Sequence, residues 1–255
     1  MANSASLRLL LVRLLALTNG EPVEALRGSL RLTSEAFDAL LHQLADERLV
    51  SMQGRSISLA LEQRLNVAMK AIEAGADPEA VSRSLGWLEF EELSAKVFEA
   101  NGFKVSRRFR FIAQGRRWEL DILAARAPYL VCGECKHWGK GIGNQTARGI
   151  IETHLEKTEV FSGHIEELRK RIGVGGWKRA VIVPMALTLS ATPMEIYRRV
   201  PSVSVLSLPS FLGEFDGQMG RLASFKVGLK PQEPEMKQTV LKKRGVSGSR
   251  RARRL

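Results

Sequence analysis

Asp121, Glu134 and Lys136 interrupt apolar runs that otherwise suit a protein interior. Asp121 lies in Trp118-Glu119-Leu120-Asp121-Ile122-Leu123, and Glu134 follows thirteen positions later in Leu130-Val131-Cys132-Gly133-Glu134-Cys135-Lys136. Both runs read as strands, whose side chains alternate between faces. Glu134 and Lys136 therefore project together, with Val131, Gly133 and Cys135 opposite. On the first strand Asp121 shares a face with Glu119, while Trp118, Leu120 and Ile122 face away. Folded as a hairpin, the two runs bring an Asp, a Glu and a Lys to one edge of a small sheet. Two carboxylates make a hard oxygen site for Mg²⁺ or Mn²⁺, and the neighbouring ammonium can orient or deprotonate a water. Such groups suit phosphodiester hydrolysis. The plainer reading is a pair of strand-end surface charges with Lys136 as partner of Glu134. Against it, a carboxylate on a central strand is costly to desolvate without a cation or hydrogen bonds.

The rest of the chain supplies elements to hold these strands. A helix is expected at 88–100, strands at 103–111, 117–125 and 129–137, and a long helix at about 145–172. A strand at 179–186, a helix at 191–199 and a strand at 203–208 follow. Strands joined by a crossover helix imply a mixed α/β sheet flanked by helices. Upstream, helical spacing covers 7–18, 22–29 and 33–47, the last opened by Thr33-Ser34-Glu35. Residues 49–59 alternate around Gly54 as a hairpin. Three helices and a hairpin are the winged helix-turn-helix arrangement, so residues 1–60 are read as that domain. Residues 61–86 are read as a helical connector, 87–225 as the site-bearing domain and 226–255 as a basic, disordered tail.

Helix, Asp and Glu-x-Lys in this order resemble the PD-(D/E)xK, restriction-endonuclease-like nuclease superfamily. The branch most like this chain contains archaeal Holliday-junction resolvases and type IV-like restriction endonucleases. Residues 90–103, from Phe90-Glu91-Glu92-Leu93 to Asn101-Gly102-Phe103, resemble that branch's Phe-Glu-x-Leu…Gly-aromatic pattern. The likeness covers roughly residues 86–210, and Leu120 stands where a Pro often precedes the Asp. It implies a Mg²⁺- or Mn²⁺-dependent endodeoxyribonuclease acting on branched, foreign or damaged DNA. The metal would be held by Asp121, Glu134 and the Cys135 carbonyl, with Lys136 positioning the water and a 5′-phosphate left on the product. The likeness also implies a supporting role for Glu91, with Glu92 as its rival, a polar site residue at Gln145, and a homodimer. Glu119 is a further candidate for the shell around the metal. The alternatives are a non-catalytic winged-helix regulator that keeps the nuclease fold, and an RNA-directed nuclease.

A net charge of +12 and a pI near 10.1 point to a polyanionic partner. Eight basic residues and no acid lie between Lys237 and Leu255, a composition suited to non-specific phosphate contact. Arg107, Arg108, Arg110, Arg116 and Arg117 cluster on the first hairpin, where they would grip a DNA backbone or simply guard an edge strand. The two cysteines sit within one strand, their sulfurs on opposite faces, which argues for structural thiols and a cytoplasmic protein rather than a zinc or redox motif. His137, His154 and His164 are scattered, and the loop 139–143 lacks the ending of a phosphate loop. The run from Leu7 to Leu17 is too short and too charged to span a membrane.

Overall fold

The computed structural model describes residues 4–17, 20–136, 144–189 and 196–230. His137, the loop 139–143, the first half of the expected helix 191–199 and the tail beyond 230 lie outside them.

Helices α1 (Ser4–Leu15), α2 (Val23–Gly28) and α3 (Ser34–Asp46) open the chain, with strand β1 (Glu21–Pro22) between the first two. Thr33 starts α3 by accepting the Ala36 N–H on its hydroxyl. Strands β2 (Ser51–Gln53) and β3 (Ser56–Ser58) form the expected hairpin around Gly54, whose φ of 61° suits a tight turn. β1 pairs with β3, giving a small sheet in the order β1-β3-β2.

Helices α4 (Leu61–Glu73) and α5 (Pro78–Ser84) fill the segment expected to be a connector. Leu65, Val67, Ala68 and Ala71 are buried in one continuous apolar core that also takes in Leu10 and Leu14 of α1 and Phe90 of the next helix. Arg64 locks the same joint, donating to Glu89 at 2.7 Å, to the Leu15 carbonyl at 2.9 Å and to the Ser84 carbonyl at 3.3 Å. Asp77 caps α5 through the Glu79 and Ala80 N–H groups, and Pro78 occupies its first turn.

Helix α6 (Trp87–Ala100) leads into strands β4 (Lys104–Ala113), β5 (Arg116–Arg126) and β6 (Tyr129–Lys136). The expected long helix is split into α7 (Asn144–Gly163) and α8 (Ile165–Ile172), the break falling at Gly163-His164, where glycine weakens the helix. Strand β7 (Arg179–Thr188) returns parallel to β6. The expected helix over 191–199 is overturned at 196–199. There β8 (Ile196–Tyr197) turns through Arg198 and Arg199, both at positive φ, into β9 (Val200–Ser204). The expected strand at 203–208 gives way after Ser204 to a turn and α9 (Leu208–Gly213), followed by α10 (Phe215–Gln218). Strand β10 (Phe225–Gly228) pairs with the first half of β7, so order runs past the expected limit at 225. The large sheet runs β4-β5-β6-β7-β9-β8, with β10 joined to β7. The fold is mixed α/β. No helix among the described residues is long and apolar enough to cross a membrane.

Each face of the sheet has its own core. Val131 and Cys135 pack toward α6, while Leu130 and Cys132 pack toward α7 and α8, as strict alternation on β6 requires. β5 departs from that rule. Trp118 and Leu120 pack on the α7–α8 side, but Ile122 packs on the α6 side, so the expectation that all three share a face fails. Asp121 lies at the slip. Opposite it on β4, Arg108 has φ 50°, and the ladder passes from Arg107↔Ile122 to Phe109↔Leu120 without pairing Arg108 and Asp121. The register is the same on both sides of this unpaired step, yet across it the side chains of both strands change faces: Val105 and Ile122 lie on the α6 side, Phe109 and Leu120 on the α7–α8 side.

Candidate functional site

The pairing of β5 with β6 ends at Ile122↔Gly133. One more step would set Asp121 opposite Glu134, and there the strands part. Instead of a backbone partner, the Cys135 N–H meets Asp121 Oδ2 at 2.8 Å. A strand residue's N–H and C=O point to the same side, so the Cys135 carbonyl is also directed into this gap. Asp121 and Glu134 thus lie on either side of the point where two strands open.

Their environments differ. Glu134 is 9% exposed, and both of its oxygens are engaged. Lys136 Nζ lies 2.8 Å from Oε1, and Lys157 Nζ lies 2.6 Å from Oε2. Burial by itself would raise the Glu134 carboxyl, but His154, Lys157 and Lys136 hold it well below the usual carboxylate range. Asp121 has no such neighbour: among the described residues no cation lies within ion-pair distance of it. Burial first, and the Glu134 charge second, push its carboxyl up to about 6, against the opposing effect of the Cys135 N–H. For Lys136, burial favours the neutral amine, yet contact with Glu134 prevails and holds the group above the ordinary lysine value. It is therefore a charged donor at neutral pH, able to orient a water rather than deprotonate one.

Two of the residues around Glu134 were not expected there. His154 and Lys157 sit three apart on α7 and so share a face. His154 is 2% exposed; its Nε2 donates to the Cys132 carbonyl at 2.8 Å. Its Nδ1 stands 3.4 Å from Glu134 Oε2 without a hydrogen-bond partner. The spacing His154-x-x-Lys157 on a helix following the strand is the signal that marked them.

Glu91, rather than Glu92, turns inward. It is buried, accepts from the Trp87 indole, and accepts from Arg108 Nε at 3.0 Å and Nη2 at 2.8 Å. Glu92 faces outward and binds Arg107 at 2.7 and 2.9 Å. Glu119 is bound to Arg110 at 2.5 Å and lies outside the Glu134 cluster. Gln145 is exposed on the first turn of α7. The five arginines do not form one free grip. Arg107 is held by Glu92 and Glu99, Arg108 by Glu91 and Arg110 by Glu119. Arg116 stacks over the Trp118 ring at 4.0 Å. Arg117 joins Arg110 and Arg171 along a groove beside Phe111 and Ile112.

Among the described residues, no three or more His, Cys, Asp or Glu side chains are gathered as a metal cage. Two carboxylates and a backbone carbonyl remain, which suits an ion such as Mg²⁺ that keeps several waters and takes phosphate oxygens as ligands. A dication between the pair would offset both the burial and the neighbouring Glu134 charge that raise the Asp121 carboxyl.

The fold and this cluster define a mixed α/β protein with a carboxylate pair at a strand opening. No family model matches the chain, and no curated protein matches it. Among solved structures, protein VC1899 from Vibrio cholerae is similar at 14% identity and a TM-score of 0.34, over 86% of this chain and 53% of that one. The chain thus spans about half the length of that protein.

Proposed function

We propose that this protein is a metal-dependent endodeoxyribonuclease, built from a restriction-endonuclease-like domain and an N-terminal winged helix. The observation that carries the reading is the meeting of Asp121 and Glu134 where β5 and β6 separate, with the Lys136 ammonium on Glu134. Mg²⁺ or Mn²⁺ bound there supplies a Lewis acid for a phosphoryl oxygen and a more acidic water. Asp121, Glu134 and the Cys135 carbonyl would hold the ion. Lys136 orients the attacking water and offsets charge that builds on the phosphate. Water oxygen would bond to phosphorus as the bond to the 3′-oxygen breaks, its proton passing to solvent and the 3′-oxygen taking one from solvent, leaving a 5′-phosphate and a 3′-hydroxyl. Glu91 keeps Arg108 beside the carboxylates, within reach of a DNA phosphate. The described residues hold one such centre, so cutting both strands calls for a homodimer.

α3 has the order of a recognition helix but not its charge, since Arg27 pairs with Asp38 and Lys70 pairs with Glu47 at its end. DNA docking by the winged helix therefore falls to exposed Arg55 at the tip of the β2–β3 hairpin.

Glu134 favours a second reading. Both its oxygens already carry ammonium groups, the state of a self-neutralised, non-catalytic centre in a DNA-binding regulator. The test is cleavage of labelled duplex, single-stranded and four-way-junction DNA with Mg²⁺, Mn²⁺ or EDTA, comparing wild type with Asp121→Asn. Metal-dependent cutting lost in the variant supports the nuclease. Equal DNA binding by both proteins, with no cutting in any metal, supports the regulator.

A further inference from the structure

The two lysines on Glu134 are held differently. Lys157 reaches Oε2 from α7, and its side chain is 14% exposed. His154, one helical turn before it, faces the same oxygen with its ring anchored on the Cys132 carbonyl. Lys136 reaches Oε1 from the end of β6, and its side chain is 29% exposed, twice as much. Its ammonium also lies 6.0 Å from the centre of the Trp87 ring, within the range at which an aromatic face attracts a cation. An ion seated between Asp121 and Glu134 needs one Glu134 oxygen, so one ammonium must leave. Stripped of Glu134, Lys157 becomes a buried charge with no other acceptor among the described residues, a costly state. Lys136 leaves into solvent, with an aromatic face alongside.

We propose a division of labour. Lys157 is a positioning residue that holds Glu134 through Oε2, whereas Lys136 gives up Oε1 to the incoming divalent ion and turns its ammonium to the open side, where a phosphate would lie. This rests on the nuclease reading. It makes Lys136 a group armed by the metal: before the ion arrives, the ammonium is spent on Glu134, and afterwards it is free for the water and the phosphate. It also answers the apparent saturation of Glu134, because only one of its oxygens is permanently occupied.

The test is amine acetylation of the full-length protein, with and without Mg²⁺, followed residue by residue by mass spectrometry. Mn²⁺ binding without DNA is measured in parallel by electron paramagnetic resonance. Release from Glu134 exposes an amine that was held against a carboxylate, so acetylation of Lys136 should rise by about tenfold. Acetylation of Lys157 should stay within about twofold, since its partner does not change. Lys136→Met should bind Mn²⁺ about tenfold more tightly than wild type, because no ammonium has to be displaced. If Mn²⁺ binds but Lys157 is the residue unmasked, or both lysines respond alike, the division of labour is overturned and the nuclease reading stands. Unchanged or weaker Mn²⁺ binding by Lys136→Met also overturns it. If Mn²⁺ does not bind the wild type, the metal site itself is wrong, and both ideas fail.

Discussion

The Cys135 N–H donates to Asp121 Oδ2 at 2.8 Å at the point where the pairing of their strands stops. A donor that would ordinarily serve the sheet is given to a carboxylate, and the strands part around it. The gap separates Glu134, bonded to two ammonium groups, from Asp121, which has no ion-pair partner among the described residues, and the two respond to pH in opposite senses.

Asp121 holds its proton up to about pH 6 when folded, against the usual aspartate value when unfolded. Its contribution to stability is therefore present at low pH and is lost as pH rises from about 4 to about 6. Asp121→Asn should stabilise the metal-free protein by ~1–3 kcal/mol at pH 7.5 and by little at pH 4. Urea unfolding at the two pH values checks this, and no gain at pH 7.5 rules out the raised Asp121 carboxyl. Added Mg²⁺ should stabilise the wild type more than the variant.

Glu134 has the opposite sign. Its depressed carboxyl contributes stability above the usual glutamate value, and that stability is lost as pH falls. Glu134→Ala leaves Lys136 and Lys157 without their shared anion, at a cost of about 3–5 kcal/mol. Thermal unfolding should show a large loss. Asp121→Asn is therefore the cleaner probe of cleavage, because Glu134→Ala loses activity through poor folding as well as through a missing ligand.

The arginines of β4 and β5 should separate by their partners. Arg117→Ala should weaken DNA binding uniformly across sequences and lower the slope of log affinity against log salt by about 1. Arg107 is held by Glu92 and Glu99, so Arg107→Ala should change that slope much less. Filter binding across a salt series distinguishes them, and equal slopes would return Arg107 to the DNA-contacting set.

Gly133 sits where a Cβ would lie 3.1 Å from both Ile122 Cβ and Leu187 Cδ1. Gly133→Ala should cost about 1–3 kcal/mol, through overpacking directly beside Glu134. Chemical denaturation reads the cost, and a neutral result means the strands shift apart easily.

Cys132 and Cys135 are fully buried in opposite cores, and burial raises both thiols well above the ordinary value. Neither should react with a maleimide in the folded protein, and both should react after unfolding. Fast labelling of the native protein would mean that β6 opens readily.

What the sequence determined by itself was local. Strict alternation along residues 129–136 put Glu134 and Lys136 on one face and the two cysteines on different faces, because a strand's period of two acts residue by residue. The apolar run around Asp121 announced a strand, and Phe90-Glu91 announced the helix before it. Tertiary structure decided the rest. No residue pattern announces that a non-glycine residue, Arg108, takes a positive φ, so the slip that separates Leu120 from Ile122 was not legible. Which cation meets which carboxylate depends on how distant segments pack. The crossover helix brings Lys157 onto Glu134 from 23 positions away, while Glu119 turns to Arg110. The site's strands were written in local periodicity, and its charge balance came from the helix laid across them.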